Sequence, residues 1–385
     1  MNPAVVVPVY NRPHALKRLL ASLHSADYPS GVSIPLVISL DPENGVPHPA
    51  VQEVAESFDW KHGSKEIILH KKHLGLLQNF YCCGDLTAQY GSVIFLEDDL
   101  VVSPVFYRFA SQALRRFEND PHVAGISLHR YAFNGYTHLP FEPISDASDA
   151  FFMQAASILG QAWNKAQWDA FAQWRGTNPK VGGETLHDLW SQFDADDYFP
   201  ILVKFLVSTD RFHAFPRVSL TTGFGDAGTH FIRDTSYFQV PLQHEKTSFH
   251  FNDLQTSNAV YDSFMELLSR CLQRLAPGLR GVDFDVDLNA SKQPRHFKAD
   301  HVVTTRACRN PMKTFALAMR PPEANLVFDV EGEGINLCKP ADLLWDKWSG
   351  IETRRKLFEY SSRGRSSLRQ TMLFRLVGWL RRFKP

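Results

Sequence analysis

The chain lacks the features that mark several large classes of protein. Its 385 residues include 41 basic and 41 acidic residues, so no global field favours nucleic acid as a partner. The longest apolar stretch, Tyr198 to Val207, contains Pro200 and Lys204 and is too short to span a bilayer. No basic leader precedes the apolar run that begins at Val5, so we expect no signal peptide. These absences predict a globular protein of the cytoplasm.

Cysteine is scarce, and glycine is missing where several enzyme classes need it. The five cysteines form neither a CxxC metal pattern nor an even set for disulfides, which favours a reducing compartment and small buried thiols. No GxGxxG follows the first apolar run, and neither GxxxxGK[ST] nor GxSxG occurs. The sequence therefore disfavours a nicotinamide dehydrogenase, a P-loop kinase and an α/β-hydrolase.

The first part of the chain alternates strand-like and helix-like segments, which predicts an α/β fold with a mostly parallel central sheet. Ala4 to Val9 is a β-branched run, and leucines at helical spacing follow a turn where Asn11 could cap a helix. The alternation predicts further strands at 34–40, 66–70, 92–96 and 123–128, and helices at 51–58, 76–90 and 104–117.

Beyond residue 130 the alternation weakens. Aromatic residues are dense from Phe151 to Trp174, a pattern typical of a cleft wall and equally of a core. Residues 264–275 have a helical pattern, and short β-like runs such as Asn325 to Val330 indicate a small subdomain. We expect two halves of one domain, an accessory subdomain and a basic amphipathic tail, with boundaries at 1–130, 131–275, 276–345 and 346–385.

Polar residues follow four of the predicted strands, and in open α/β sheets ligands bind at this edge. Glu97, Asp98 and Asp99 follow the apolar strand at 92–96. Three adjacent carboxylates repel one another unless a cation neutralises them, and a hard divalent ion such as Mn²⁺ or Mg²⁺ prefers oxygen ligands. A nucleotide diphosphate would supply the remaining oxygens. The alternative is a solvated acidic turn.

Further residues at this edge suit a nucleotide. Tyr10, Asn11 and Arg12 follow the first strand, with a ring for stacking and a guanidinium for phosphate or base recognition. Asp41 could accept hydrogen bonds from a uracil or ribose edge, and His73 lies where a diphosphate could approach a helix N-terminus. Each residue taken alone is also consistent with a helix cap or a structural role.

On these residues the sequence resembles nucleotide-sugar glycosyltransferases of the GT-A (Rossmann-like) fold. Val5 to Arg12 is similar to the opening of the inverting family 2 glycosyltransferases. Val93 to Tyr107, with its acidic triplet, is similar to the β-1,2-N-acetylglucosaminyltransferase I family. The likeness continues at Gly125 to Leu128 and at Pro216 to His230. The resemblance implies that Asp99 binds the metal ion and that the two preceding carboxylates contact the donor.

The resemblance also implies a catalytic base in the acidic segment Phe193 to Phe199. Inversion requires a carboxylate that takes the proton of the acceptor hydroxyl while the sugar carbon is attacked opposite the leaving diphosphate. We expect this base to be Asp196 or Asp197, with Asp188 in reserve, and a solvated acidic loop is the alternative. His230 could face the diphosphate or the metal, and the alternative is a capping role.

The expected activity is that of an inverting hexosyl- or N-acetylhexosaminyltransferase in surface polysaccharide or glycolipid biosynthesis. A UDP-sugar is expected as donor ahead of a GDP- or dTDP-sugar, and the acceptor is a saccharide or a lipid-linked saccharide. Residues 1–130 would bind the nucleotide-sugar, 131–275 would hold the acceptor, and the aromatics at 151–174 would shape its cleft. The alternatives are a sugar-nucleotide nucleotidyltransferase and a catalytically inactive nucleotide-sugar-binding protein.

The C-terminal tail suggests a place in the cell. Its arginines and lysines interleave with leucine, phenylalanine and tryptophan, as in segments that lie on anionic membranes. We expect a peripheral contact with the inner face of a membrane, and the alternative is a helix packed on its own domain.

Overall fold

The computed structural model describes residues 2–155, 159–177, 186–191, 197–226 and 235–362. The strands are β1 (Ala4–Val9), β2 (Leu36–Leu40), β3 (Lys65–Leu69), β4 (Ser92–Phe95), β5 (Leu100–Val102), β6 (Val123–Ser127), β7 (Ala150–Met153), β8 (Gln161–Asn164), β9 (Phe212–Pro216), β10 (Thr221–Gly223), β11 (Val260–Tyr261), β12 (Phe284–Asp287), β13 (His301–Thr304), β14 (Lys313–Ala316) and β15 (Gly334–Cys338). The α-helices are α1 (Pro13–His24), α2 (Pro49–Ser57), α3 (Gly75–Asp85), α4 (Thr87–Tyr90), α5 (Phe106–Arg116), α6 (Lys165–Gly176), α7 (Tyr198–Ser208), α8 (Ser269–Leu275), α9 (Glu323–Val327) and α10 (Lys347–Ser361).

The chain divides into two compact units, Met1–Ala132 with Ser145–Met265 and Phe133–Ile144 with Glu266–Pro385. The first unit contains a nine-stranded sheet in the order β11-β7-β9-β6-β8-β4-β1-β2-β3 and a two-stranded ribbon of β5 and β10. The second unit contains a four-stranded sheet in the order β12-β13-β15-β14. The division into four segments predicted from sequence stays a prediction.

The large sheet is mostly parallel. The pairs β3–β2, β2–β1, β1–β4, β6–β9 and β7–β11 are parallel, and β4–β8, β8–β6 and β9–β7 are antiparallel. The predicted α/β class with a mostly parallel central sheet is therefore confirmed. Because β4, β1, β2 and β3 run in the same direction, their carboxyl ends lie at one edge of the sheet.

The first strand and helix show why the local sequence folds this way. Every residue of β1 is buried, as expected for a β-branched strand covered on both faces. In α1 the leucines at 16, 19, 20 and 23 are buried on one face. The helix begins at Pro13, and its N-cap residue is Arg12 without a side-chain hydrogen bond. The prediction that Asn11 caps this helix is wrong, because Pro13 fixes the first turn one residue later.

The aromatics between 151 and 174 belong to the core. Phe151, Trp163, Trp168 and Phe171 are at most 2% exposed, so they form no cleft wall in the described residues. Trp168 crosses Phe171 and Trp163 edge to face, at ring-centroid distances of 5.3 and 5.5 Å. Of the two interpretations of this aromatic segment, the core is correct for these four residues. The prediction that they shape an acceptor cleft is wrong.

Two other sequence predictions are corrected by the structure. Asn325 to Val330 is no strand: α9 covers its first half, and the Asn325 side chain is fully buried. Its Oδ1 accepts hydrogen bonds from the amides of Ala318 and Met319, and its amide group donates to backbone carbonyls. These bonds stabilise a short helix that apolar composition alone does not reveal. The helix predicted at 76–90 is divided into α3 and α4 at Leu86.

No helix in the described part of the chain has the length and apolar character needed to cross a membrane.

Candidate functional site

The candidate site lies where β1, β2 and β4 end and where the loop after β3 begins α3. These ends carry Arg12, Asp41 and the acidic triplet, and the loop carries His73.

Arg12 joins the two aspartates of the triplet. Its guanidinium forms an ion pair with Asp98 and a second one with Asp99, at 2.9 Å between Nη1 and Oδ2. The Asp98 side chain is 5% exposed, against 23% for Asp99 and 31% for Arg12. A planar fork with several N–H donors suits two neighbouring carboxylates, which explains an arginine at this turn.

One oxygen of this cluster is left over. Oδ1 of Asp99 is buried and has no hydrogen-bond partner among the described residues. A buried carboxylate oxygen without a partner is costly, because desolvation is not compensated. The cluster therefore has capacity for one more cationic or hydrogen-bonding group at this oxygen.

Glu97 has a different partner, and its pKa is raised further than that of Asp98. The hydroxyl of Tyr198, the first residue of α7, donates to Oε1 of Glu97 at 2.5 Å. Burial, together with the charge of Asp99, raises the pKa of Glu97 to about 8. Burial also raises the pKa of Asp98 to about 6, against the opposing charge of Arg12. Burial therefore favours the uncharged form of Glu97, and Arg12 brings one positive charge to the two aspartates.

Asp41 is the centre of a second group at this edge. It is 4% exposed, and its two oxygens accept hydrogen bonds from the amides of Leu74 at 2.7 Å and Gly75 at 2.9 Å. His73 places Nδ1 3.1 Å from Oδ2 of Asp41, and the Tyr10 ring lies 5.1 Å from the His73 ring. Asp41 thus caps α3, the helix after the following strand, and holds His73 half-exposed beside Tyr10.

A buried polar network lies next to the Asp41–His73 group and fixes the elements that carry it. Ser39, in β2, donates its hydroxyl proton to Asn79 at 2.7 Å and lies 2.8 Å from Nε2 of His70. Asn79 is 4% exposed, so its role is to fix α3 against β2. The position of the loop that carries His73 is therefore set by side-chain hydrogen bonds on both sides.

The remaining predicted site residues are divided between described and undescribed parts of the chain. Asn11 is exposed at the turn between β1 and α1. Asp197 is the N-cap of α7 and accepts a hydrogen bond from the Phe199 amide at 2.8 Å. Asp188 begins the 3₁₀ helix Asp188–Ser191. Asp196 and His230 lie outside the described residues.

Sequence reasoning missed Tyr198 as a member of the site. The tyrosine lies in the same acidic, aromatic segment in which we expect the base, directly after Asp197. Its ring is 1% exposed and stacks on Phe80 at 4.2 Å, which fixes the direction of its hydroxyl towards Glu97. A fully buried tyrosine requires a partner for its hydroxyl, and that requirement was the available signal.

A match is found neither to a protein-family model nor to a curated protein. Among solved structures, S. aureus TarS 1-349 aligns with a TM-score of 0.38 and 12% identity, over 59% of this chain and 61% of that chain. The same protein in complex with UDP-GlcNAc aligns with a TM-score of 0.35 and 12% identity, over 67% of this chain and 61% of that chain.

A mannosyltransferase, PcManGT from Pyrobaculum calidifontis in complex with GDP-Man and Mn²⁺, aligns with a TM-score of 0.32 and 16% identity. This alignment covers 45% of this chain and 46% of that chain. The chain thus spans less than two thirds of the length of each of these structures. At these TM-scores the alignments assign no role to any residue.

Proposed function

We propose that this protein is a divalent-metal-dependent, inverting glycosyltransferase with a nucleotide-diphosphate sugar as donor. The observation that supports it most is the partly buried group of Arg12, Asp98 and Asp99, in which one oxygen of Asp99 has no partner among the described residues. This group shares the carboxyl edge of a mostly parallel sheet with Asp41 and the Tyr10–His73 pair. Ligands of open α/β sheets bind at that edge. The donor is a UDP-sugar in this proposal, with GDP and dTDP as the competing nucleotides.

The carboxylates of Asp98 and Asp99 fit a hard divalent cation. Their oxygens are the ligand type that Mn²⁺ and Mg²⁺ prefer, and Oδ1 of Asp99 is buried without a partner in the described part of the chain. Those described residues contain no group of three or more His, Cys, Asp and Glu side chains that could hold a metal ion. The cation would therefore take its other ligands from a bound diphosphate and water. When bound, it would stabilise negative charge on the departing nucleotide diphosphate.

Arg12 is the residue that links cation and donor binding in this proposal. It brings one positive charge to Asp98 and Asp99 through two ion pairs, where a divalent ion would bring two. A second cation at the same carboxylates competes with the guanidinium, which then has N–H donors for phosphate oxygens. The N–H donors of Arg12 would thus bind the two carboxylates when no cation is bound, and phosphate oxygens when a cation is bound.

The nucleotide is assigned to the second group. Tyr10 and His73 offer an aromatic pair of which His73 is 51% exposed, and Asp41 retains lone pairs beyond those used by the two amides. An acceptor-only carboxylate selects a base edge that donates, as the N3–H of uracil does. Asn11 lies exposed on the same turn as Tyr10 and would contact the ribose or phosphate.

The base is assigned to Asp196 or Asp197, with Asp188 in reserve. In support, Asp197 is held as a helix cap next to Tyr198, and Tyr198 contacts Glu97 of the acidic triplet. The start of α7 is therefore attached to the proposed donor site. A carboxylate here would take the proton of the acceptor hydroxyl.

The reaction products test this proposal. We expect the protein, supplied with Mn²⁺ and a panel of UDP-, GDP- and dTDP-sugars, to release a nucleoside diphosphate from at least one sugar. NMR of the transferred sugar should give the anomer opposite to that of the donor. Release of pyrophosphate would indicate a nucleotidyltransferase instead, and metal-dependent nucleotide binding without turnover on any donor would indicate a binding protein.

A peripheral membrane contact is a separate part of the proposal. The segment after α10 carries seven basic residues and no acidic ones: Arg363, Arg365, Arg369, Arg375, Arg381, Arg382 and Lys384. Such a segment is attracted to anionic lipid, and a lipid-linked saccharide acceptor would be found there. The full chain should sediment with phosphatidylserine vesicles, whereas a chain ending at Ser362 should not, and equal sedimentation of both would refute the contact.

A further inference from the structure

Arg18, which does not contact the proposed cation ligands in the described structure, is connected to Asp99 through residues that hydrogen-bond to the Asp99 backbone. Arg18, one helical turn and a half after Arg12 in α1, forms an ion pair with Asp226, and its Cζ lies 3.6 Å from the centre of the Phe224 ring. Both contacts fall on the three residues that follow β10. The guanidinium therefore holds the end of this strand against α1 by charge and by stacking.

The residues that Arg18 holds are bonded in turn to the backbone of Asp99. The Phe224 amide donates to the carbonyl oxygen of Asp99 at 3.0 Å. The next pair along the ribbon is Gly223 with Leu100, in the antiparallel ladder of β10 and β5. The backbone of Asp99 is thus held by the β5–β10 ribbon, and the hydrogen bond that holds it comes from Phe224, which Arg18 contacts.

The geometry after β10 leaves this strand end little freedom. Gly225 has φ +74°, and a Cβ there would lie 1.8 Å from the Thr235 carbonyl oxygen. The Thr235 amide donates to the Gly225 carbonyl at 2.8 Å, and the Gln239 side chain donates to the Phe224 carbonyl at 3.1 Å. Phe224 itself is 48% exposed, so burial does not explain why its ring is held in place.

We propose that Arg18 is a positioning residue for the cation site: by holding Phe224 and Asp226, it fixes the main-chain hydrogen bond that places Asp99. The inference rests on the proposed function, because it assigns Asp99 to the cation. An ordinary surface ion pair would contribute to stability alone. A positioning role requires in addition that loss of Arg18 weakens cation binding by a folded protein.

Mn²⁺ binding, measured from the free-ion electron paramagnetic resonance signal, separates these two roles. Arg18→Gln removes both contacts and should weaken Mn²⁺ binding about tenfold, as the loss of a supporting partner of a metal ligand typically does. Arg18→Lys keeps the charge opposite Asp226 but loses the planar stack, so it should lie between Arg18→Gln and the wild type. Phe224→Leu should also weaken Mn²⁺ binding. This variant replaces Arg18→Gln in the test if Arg18→Gln does not fold.

Arg108→Gln is the matched control. Arg108 lies on α5 of the same unit, is 28% exposed against 26% for Arg18, and pairs with Asp27. Both glutamine variants should lower the Tm of the metal-free protein to a similar small degree, and Arg108→Gln should leave Mn²⁺ affinity unchanged. Wild-type affinity in Arg18→Gln, or an equal loss in Arg108→Gln, would overturn the positioning role.

Asp99→Asn distinguishes failure of this inference from failure of the proposed function. If the wild type binds Mn²⁺ and Asp99→Asn does not, the cation site stands, and the Arg18 variants decide the positioning role. If Asp99→Asn binds Mn²⁺ as the wild type does, or if the wild type binds Mn²⁺ neither alone nor with UDP, GDP or dTDP present, the cation assignment falls and the positioning role falls with it.

Discussion

Each unit contains an ion-paired group of arginine and aspartate. The two groups have similar chemistry, but they differ in how completely their polar atoms are hydrogen-bonded. In the second unit, Asp287 is 0% exposed, and its oxygens accept from Arg306 Nε and from the Lys292 amide, each at 2.9 Å. Arg306 also donates to two backbone carbonyls and lies under Trp345, with Cζ 4.5 Å from the ring centre. In the first unit, Arg12 serves two carboxylates, and one oxygen of Asp99 has no partner in the described chain.

The two groups differ in the way that a structural ion pair differs from a ligand site. Around Asp287 each buried charge is used within the fold, so the pair holds the end of β12 against the turn after β13. Around Asp99 the charges are packed at a sheet edge with one negative charge in excess and one bond unmade. A fold tolerates that cost where a ligand repays it.

Conversion of Asp99 to asparagine should have the largest effect on activity. Asp99→Asn removes the charged oxygen assigned to the cation, so the rate of donor cleavage should fall by roughly 10² to 10³. Stability should change by less than about 1 kcal/mol, because one of two like charges is removed. Rates with the productive donor and urea unfolding measure both quantities. Unchanged cleavage with unchanged dependence on Mn²⁺ would contradict the assignment.

The same change at Asp287 should have the opposite pattern. Asp287→Asn leaves the Arg306 charge buried and unpaired, at a cost of roughly 3 kcal/mol in the free energy of unfolding. Equilibrium unfolding in urea measures this loss. The cleavage rate per folded molecule should stay within about twofold, since Asp287 belongs to no catalytic group in our account. A fully stable Asp287→Asn protein would remove the contrast between the two groups.

His213 extends the comparison to a buried group that is unsatisfied without being at the site. Both of its ring nitrogens are buried and without partners in the described residues, and burial lowers its pKa to about 3. The unfolded chain takes up a proton below about pH 6.5, so the folded state loses stability as pH falls from 6.5 towards 3. The loss attributable to His213 should be roughly 2 to 3 kcal/mol between pH 7 and pH 4.

His213→Leu should remove this part of the acid sensitivity. Unfolding free energies of both proteins at pH 7, 5.5 and 4 isolate its contribution, because His129, whose pKa burial lowers to about 4, contributes equally to both and cancels. Parallel pH profiles for the two proteins would show that His213 does not remain neutral in the fold.

Exchange of arginine for lysine gives the smallest predicted effect and the sharpest contrast between the groups. Lysine is a point charge without the planar fork, so Arg12→Lys should weaken nucleoside-diphosphate binding about tenfold and cost less than about 1 kcal/mol of stability. Arg306→Lys should cost more stability, because the fork of Arg306 reaches a carboxylate and two carbonyls. Equal unfolding free energies in the two variants would show that the groups do not differ in this way.

Local features of the first 130 residues could be predicted from the sequence. The buried strand Ala4–Val9 and the leucine spacing of α1 are periodic patterns within a few residues, and they determine the α/β class. The gathering of polar residues at the carboxyl ends also follows, because parallel strands place those ends at one edge.

The partners of these residues could not be predicted, because they depend on contacts distant in sequence. Arg12 meets Asp99 across 87 positions, and Tyr198 meets Glu97 across 101. No local pattern shows that the cation expected beside the triplet is provided in part by an arginine of the chain itself. The order of the sheet was equally hidden, since β8 enters antiparallel between β4 and β6.

In our proposal, Asp99 and its neighbours hold a divalent cation that binds a nucleotide diphosphate. Isothermal titration calorimetry of UDP, GDP and dTDP, with and without Mn²⁺, on the wild type and Asp99→Asn tests it most directly. We expect Mn²⁺ to strengthen binding of one of these nucleotides to the wild type. The affinity of Asp99→Asn for the same nucleotide should be the same with and without Mn²⁺. Affinities that do not depend on Mn²⁺, or that depend on it equally in both proteins, would show that Asp99 does not hold such a cation.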